Sequence, residues 1–150
     1  MEKKENISVL NDLIVINNDR VEGYETAAKE TEDADLKALL LELKSTSHNN
    51  LAELRSEVLR LGGEVEEGTR TTGKFFRVWM DVKAALTGND RGAILNSCEF
   101  GEDKALEAYE NAMEDRNSLS PQYVSLLLKQ QMALRADHDR VKALRDAANN

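Results

Sequence analysis

Apolar residues at Leu10, Ile14, Val21, Tyr24 and Ala28 are separated by three, four or seven positions. That is the spacing of one face of an α-helix, and it predicts a first long helix over about 5–30. The polar run Thr31, Glu32, Asp33 and Asp35 interrupts the pattern with side chains that favour caps over helix interiors. A second stripe then runs through Leu36, Leu40, Leu43, Leu51, Leu54, Val58 and Leu61, and Gly62-Gly63 ends it as a left-handed C-cap does. Glu64 to Gly73 has no period and reads as a loop, followed by a shorter helix from Lys74 to Leu86. Thr87 to Asp90 makes the next break, with Asn89 or Asp90 as the expected cap of a third long helix over about 91–115, striped by Ile94, Cys98, Ala105, Tyr109 and Met113. Ser120 before Pro121, the only proline, predicts an N-cap and first helical position for a last helix reaching about 147.

Connection lengths turn these helices into a topology. The first and second long helices, and the third and fourth, have short links and must form antiparallel hairpins, whereas the 27 residues from Gly63 to Asn89 can span the length of a bundle. The expectation is an all-α single domain over 1–150: a four-helix bundle of two antiparallel hairpins joined by a long crossover that contains a short helix. Composition agrees, since Ala, Leu, Glu, Lys and Arg make up close to half of the chain. A net charge of −8 argues against a nucleic acid partner, because such binding runs on cationic side chains that displace counterions. The lone Cys98 excludes an internal disulfide and suits a reducing compartment. The apolar run Leu13 to Ile16 is too short for a signal segment or a membrane span, so the expected location is the cytoplasm, with no membrane partner.

The two hairpins repeat one another. Glu22-Gly23-Tyr24-Glu25-Thr26-Ala27 reappears as Glu107-Ala108-Tyr109-Glu110-Asn111-Ala112 at an offset of 85, and His48, Leu51, Leu54 and Arg55 match His138, Val141, Leu144 and Arg145 at an offset of 90. Two like hairpins with a long crossover resemble the ferritin-like bundle. More closely, the stretches Leu13-Ile14 to Gly23-Tyr24, Leu61-Gly62-Gly63, Arg77-Val78-Trp79 and Gly101-Glu102-Asp103 resemble an uncharacterised bacterial ferritin-like family known only as a domain of unknown function. The resemblance implies a fold and no established activity.

The ferritin-like class also implies a place to look for iron or manganese. Its two-metal members carry a Glu on the first and third long helices, often seven residues before a Tyr, and Glu-x-x-His on the second and fourth, so that carboxylates bridge the ions. Glu102 lies seven residues before Tyr109, and His48 and His138 match the histidines. Asn17, however, stands at the first carboxylate position, and Ser45 and Arg135 replace the partnering glutamates. The candidate metal residues are therefore Glu102, His48 and His138, with Asp19, Glu22, Glu25 and Glu42 able to complete a site. The competing expectation is a metal-free polar layer of Asn17, Glu102, Gln131 and His138, with Tyr24 and Tyr109 as donors. Under that reading Glu102→Gln leaves stability unchanged or raises it. Cys98, among Glu99, Glu102 and Asp103, reads as a small core residue rather than a redox thiol. There is no nucleophile spacing among Ser, His and Asp, and no glycine-rich phosphate loop.

Phe75, Phe76 and Trp79 gather three of the seven aromatic residues on the crossover helix. They are expected to pack across the bundle, with a dimer interface or protein-binding patch as the alternative. Two functional readings result. One is a non-enzymatic helical bundle without a cofactor, acting through a protein partner or as a homo-oligomer, a role under stress included. The other is an iron- or manganese-binding ferritin-like protein or oxidase with a degenerate site.

Overall fold

The structure, a computed structural model, describes residues 2–68, 73–88, 91–114 and 119–149, with the side chains of 2, 73–78 and 149 left out. Among them five helices occur and no strand: α1 (Glu2–Glu30), α2 (Ala34–Arg60), α3 (Gly73–Thr87), α4 (Arg91–Glu114) and α5 (Pro121–Asn149). The expected cap at Asn89 or Asp90 and the Phe75 and Phe76 side chains lie outside the described residues. No helix of the described residues is long and apolar enough to cross a membrane.

Local chemistry sets the helix ends. Asp33 caps α2 from an extended conformation, its Oδ1 accepting from the Asp35 and Leu36 amides at 2.9 and 3.1 Å. Those amides, together with Arg91, hold the Asp33 carboxyl below its usual range. At the other end of α2 the Gly63 amide reaches back to Val58 O and the Gly62 amide to Leu59 O, with Gly62 at φ 79. This pair of bonds needs a left-handed residue at Gly62, where only glycine is unstrained. Helix α5 starts at Pro121 with Ser120 before it, as expected, and the Ser120 carbonyl accepts from the Tyr123 and Val124 amides, while its hydroxyl and amide pair with Asn6 of α1 instead of with the first turn.

Cross-helix bonds give the packing directions. Asn18 to Arg55 and Glu25 to Lys44 join α1 to α2, Asn17 to Tyr109 and Tyr24 to Glu102 join α1 to α4. Lys129 to Glu53 and Arg140 to Glu42 join α5 to α2, and Gln131 to Glu110 and Arg145 to Glu99 join α5 to α4. In each pair one number rises as the other falls, so each long helix runs antiparallel to both neighbours. The chain therefore leaves α2 at one end and enters α4 at the other. It climbs along α1 as it goes: Gly63 lies against Ile7, Glu64 and Glu66 bond Asn11, the Gly68 carbonyl accepts from Asn18, and Trp79 reaches Asp19.

Two apolar clusters fill the interior. One gathers Leu10, Ile14, Leu54, Val58, Tyr109 and Leu127, and the other gathers Tyr24, Leu36, Leu40, Val82, Leu95 and Cys98. The polar residues Asn17, Arg20, Ser47, Asn50, Glu102 and Gln130 are also buried. Helix α3 packs on α1 and α4 and adds Val82 to the second cluster. Trp79 sets its depth: its ring meets Tyr24 edge-on at 5.1 Å, and its indole N–H donates to Asp19 at 2.7 Å. Gly23 lies beneath the ring, where an added Cβ would overlap Trp79.

This contact makes a prediction with a sign change. Alanine in place of glycine inside a helix ordinarily stabilises by about 1 kcal/mol. Gly23→Ala should instead lower the melting temperature and shift Trp79 fluorescence toward the emission of solvated indole. In a Trp79→Ala background, which itself costs about 3 kcal/mol, Gly23→Ala should become stabilising. A stabilising Gly23→Ala in the parent would show that Trp79 does not rest there.

Candidate functional site

Asn17, Arg20, Ser47, Asn50, Glu102 and Gln130 join with Tyr24 and Tyr109 into one network. From α1, Arg20 donates through Nη2 to Glu102 Oε1 of α4 at 2.5 Å and through Nη1 to Ser47 Oγ of α2 at 2.5 Å. Tyr24 Oη donates to the same Glu102 oxygen at 2.5 Å. The Ser47 hydroxyl donates to Asn17 Oδ1 at 2.7 Å, and Asn17 Nδ2 donates to Tyr109 Oη at 2.9 Å. Tyr109 donates to Gln130 Oε1 of α5 at 2.8 Å, and Gln130 Nε2 closes on the Asn50 carbonyl of α2 at 3.2 Å. All four long helices contribute.

Its electrostatic centre is the ion pair. Arg20 is 2% exposed and Glu102 is fully buried, with Asp137 Oδ2 a second, longer partner of Arg20 at 3.5 Å. Desolvation disfavours the guanidinium charge, but the Coulombic pull of Glu102 and the hydrogen bond to it outweigh that and hold Arg20 charged. Burial pushes the Tyr24 hydroxyl well above its usual range, Glu102 adding to the effect, and burial likewise raises Tyr109. Desolvation also raises Asp137, against hydrogen bonds from Thr46 and Arg20. The Cys98 thiol, buried near Glu102, is pushed up to about 12, which removes the thiolate at physiological pH. Arg20 Nε and Glu102 Oε2 are buried and have no hydrogen-bond partner among the described residues.

The repeat appears in these contacts. Under the offset of 85, Tyr24 corresponds to Tyr109 and Asn17 to Glu102, so the Tyr24 to Glu102 and Tyr109 to Asn17 contacts are reciprocal. Under the offset of 90, Ser47 corresponds to Asp137, and Arg20 touches both. Arg20 breaks the symmetry, because Ala105 occupies its counterpart position.

The sequence candidates are placed as follows. Glu102 lies in the network. His48 is exposed on α2, one residue past Ser47, which takes the inward place. His138, 8% exposed, faces Glu99 and Asp103 instead of Glu102. Among the described residues the His and carboxylate group close enough to share an ion is Glu99, Asp103 and His138. Of the auxiliary acids, Asp19 holds Trp79, Glu25 pairs with Lys44 and Glu42 pairs with Arg140. Around Glu102 lie the Arg20 cation and the Tyr24 hydroxyl, with Asp137 as one further carboxylate on the far side of that guanidinium, and carboxylates already paired to a fixed cation do not fit the two-metal centre the ferritin-like resemblance implies. The expected polar layer needs correction too. Gln130, not Gln131, is the buried glutamine, since Gln131 turns to Glu110 at the surface, and His138 is not among the network's partners. Arg20, Ser47 and Asn50 are additions. Steps of three and four from Asn17 to Tyr24 allow either Arg20 or Val21 inside; hydropathy picks Val21, which is only partly buried.

An all-helical protein with a polar network at its centre is what this geometry defines. The chain belongs to the family described as a domain of unknown function (DUF2383), whose sequence pattern matches residues 5–115. That span covers nearly all of α1 and α2, with α3 and α4, and stops before α5, which supplies Gln130, Asp137 and His138. No curated protein matches the chain.

The ion pair reverses the expected effect of Glu102→Gln. Removing the carboxylate charge strands the buried guanidinium, so the variant should lose about 3–5 kcal/mol in denaturant unfolding. Combining it with Arg20→Met, which removes the cation while the introduced amide oxygen still accepts from Tyr24, should recover most of that loss. A double-variant loss equal to the sum of the Glu102→Gln and Arg20→Met losses would mean the two groups are not coupled. Separately, Cys98 in the folded protein should resist iodoacetamide at mildly alkaline pH and react once denatured; fast native labelling would contradict its burial.

Proposed function

We propose that this protein is a ferritin-like four-helix bundle that works as a non-enzymatic scaffold, binding a protein partner or a second copy of itself in the cytoplasm. One observation carries the reading: the place where a metal oxidase would gather carboxylates is taken by the Arg20 guanidinium on Glu102, a permanent cation built into the chain. A side-chain cation neutralises the carboxylate without an open coordination position, so it supplies stability and register rather than Lewis acidity or electrons. The antiparallel order of the long helices and the crossover along α1 support the ferritin-like topology. The acidic surface, at a net charge of −8, disfavours nucleic acid.

A binding role needs surface. Helix α3 covers α1 and α4 but not α2 and α5 to a comparable extent. Leu128 and Met132 stand one turn apart on α5, 40% and 74% exposed, and Leu59 of α2 is 64% exposed. Trp79 is turned inward toward Asp19 and Tyr24, so the apolar surface proposed for a partner is the one on α5.

Two measurements test the proposal. Sedimentation velocity over a concentration series should show self-association of the parent, reduced in Met132→Glu with the melting temperature of the dilute protein unchanged. Aerobic Fe(II) oxidation should proceed no faster with the protein than in buffer. Acceleration that is abolished by Glu102→Gln, in a variant still folded by circular dichroism, would overturn the scaffold reading in favour of the oxidase.

A further inference from the structure

His138 sits on the α4 side of α5 with carboxylates at both ring nitrogens. Nδ1 is 3.1 Å from Asp139 Oδ1, while Nε2 is 2.7 Å from Asp103 Oδ1 and 3.8 Å from Glu99 Oε1. Glu99 and Asp103 are four residues apart and share one face of α4. The other Glu99 oxygen, Oε2, pairs with Arg145, which also bonds Asp146. Four carboxylates, Glu99, Asp103, Asp139 and Asp146, thus surround one guanidinium and one imidazole.

Both ring nitrogens, on a residue 8% exposed, are faced by carboxylate oxygens, which only accept. Such surroundings suit a cation at Nε2, which a proton supplies in one form of the site and a metal ion held between Nε2, Asp103 and Glu99 supplies in the other. The orientation is the one in which a ligating histidine is held by a carboxylate behind it, which fixes the tautomer and raises the basicity of the ligating nitrogen. The three donor atoms lie within 4.8 Å of one another. Bonds of about 2.0–2.2 Å put neighbouring donors about 3–3.5 Å apart, within reach of small rotamer adjustments. Asp103, at 53% side-chain exposure, leaves the site open to solvent for entry and for water ligands.

We propose that Glu99, Asp103 and His138 bind one divalent transition metal ion, with Zn(II) as the type, at the edge between α4 and α5. One imidazole nitrogen among oxygen donors selects first-row transition metals over Mg(II) and Ca(II), which prefer oxygen alone. The site belongs to the second hairpin only. Under the repeat offsets its counterparts are Ile14, Asn18 and the exposed His48, a set with no carboxylate. It shares no residue with the Arg20 and Glu102 pair and does not depend on the scaffold reading.

Calorimetric titration of Zn(II) into tag-free, chelator-treated protein near neutral pH tests the site. One ion per chain is expected, with a dissociation constant on the order of micromolar or tighter and no competition from millimolar Mg(II). Asp103→Asn, an exposed change that should leave the fold intact, and His138→Gln should each weaken binding at least about tenfold. His48→Gln is the control for the protein's other histidine and should bind like the parent. Circular dichroism of each variant establishes that it is folded. Absence of Zn(II) binding up to millimolar metal, binding unchanged in folded Asp103→Asn, or binding lost in His48→Gln would each overturn the assignment. None of these results bears on self-association, and the oxidation that would overturn the scaffold reading depends on Glu102, which is not in this site, so failure of the zinc site and failure of the scaffold reading are separable.

Discussion

A guanidinium and a carboxylate, Arg20 and Glu102, sit between two largely apolar clusters, and the buried polar residues are arranged around meeting their needs. Taking two charges out of water costs several kcal/mol per ion, and attraction between them offsets that only when the remaining donors and acceptors are also met. Ser47 accepts from the second guanidinium nitrogen and Tyr24 adds a hydrogen bond to the carboxylate. Ser47 must then find its own acceptor, Asn17, which leads to Tyr109 and on to Gln130. A slide of any long helix by one turn would leave several of these groups buried and unpaired. The network thereby fixes register, which apolar stripes of Leu and Ala specify weakly.

Two atoms, Arg20 Nε and Glu102 Oε2, are buried without a hydrogen-bond partner among the described residues. The repeat suggests the origin of the imbalance. Reciprocal tyrosine contacts at Glu102 and Asn17, and the paired positions Ser47 and Asp137, describe two nearly equivalent halves. Arg20 opposite Ala105 turns them unequal and places the network's cation on α1.

The same asymmetry separates structure from surface chemistry. Where the first hairpin has Ile14 and Asn18, the second has Glu99 and Asp103, so polar groups that could take part in ligand chemistry collect on α4 and α5. The crossover meets the first hairpin at Asn11, Asn18, Asp19 and Gly23, and its helix α3 packs on α4 of the second hairpin as well.

Much of the helical frame was legible in the chain itself. Periodic apolar positions located all five helices to within a few residues, because burial of one helix face requires a spacing close to 3.6 whatever the partner. Gly62 after Leu61 and Asp33 before Leu36 marked ends by backbone and capping chemistry that acts over a few residues. The candidate site was legible only in part. Glu102, Tyr24, Tyr109 and Asn17 could be picked from the repeat, since reciprocal positions recur along the chain. Arg20, Gln130 and the outward turn of His48 could not. A charged residue at the edge of an apolar stripe reads as solvated until a carboxylate 82 positions away is brought to its guanidinium. Periodicity leaves Gln130 and Gln131 nearly equivalent, and the choice between them belongs to Tyr109 on the neighbouring helix. Local spacing determined which residues form helices; pairing between distant charges and donors, set by helix register and rotation, decided which polar groups went inside.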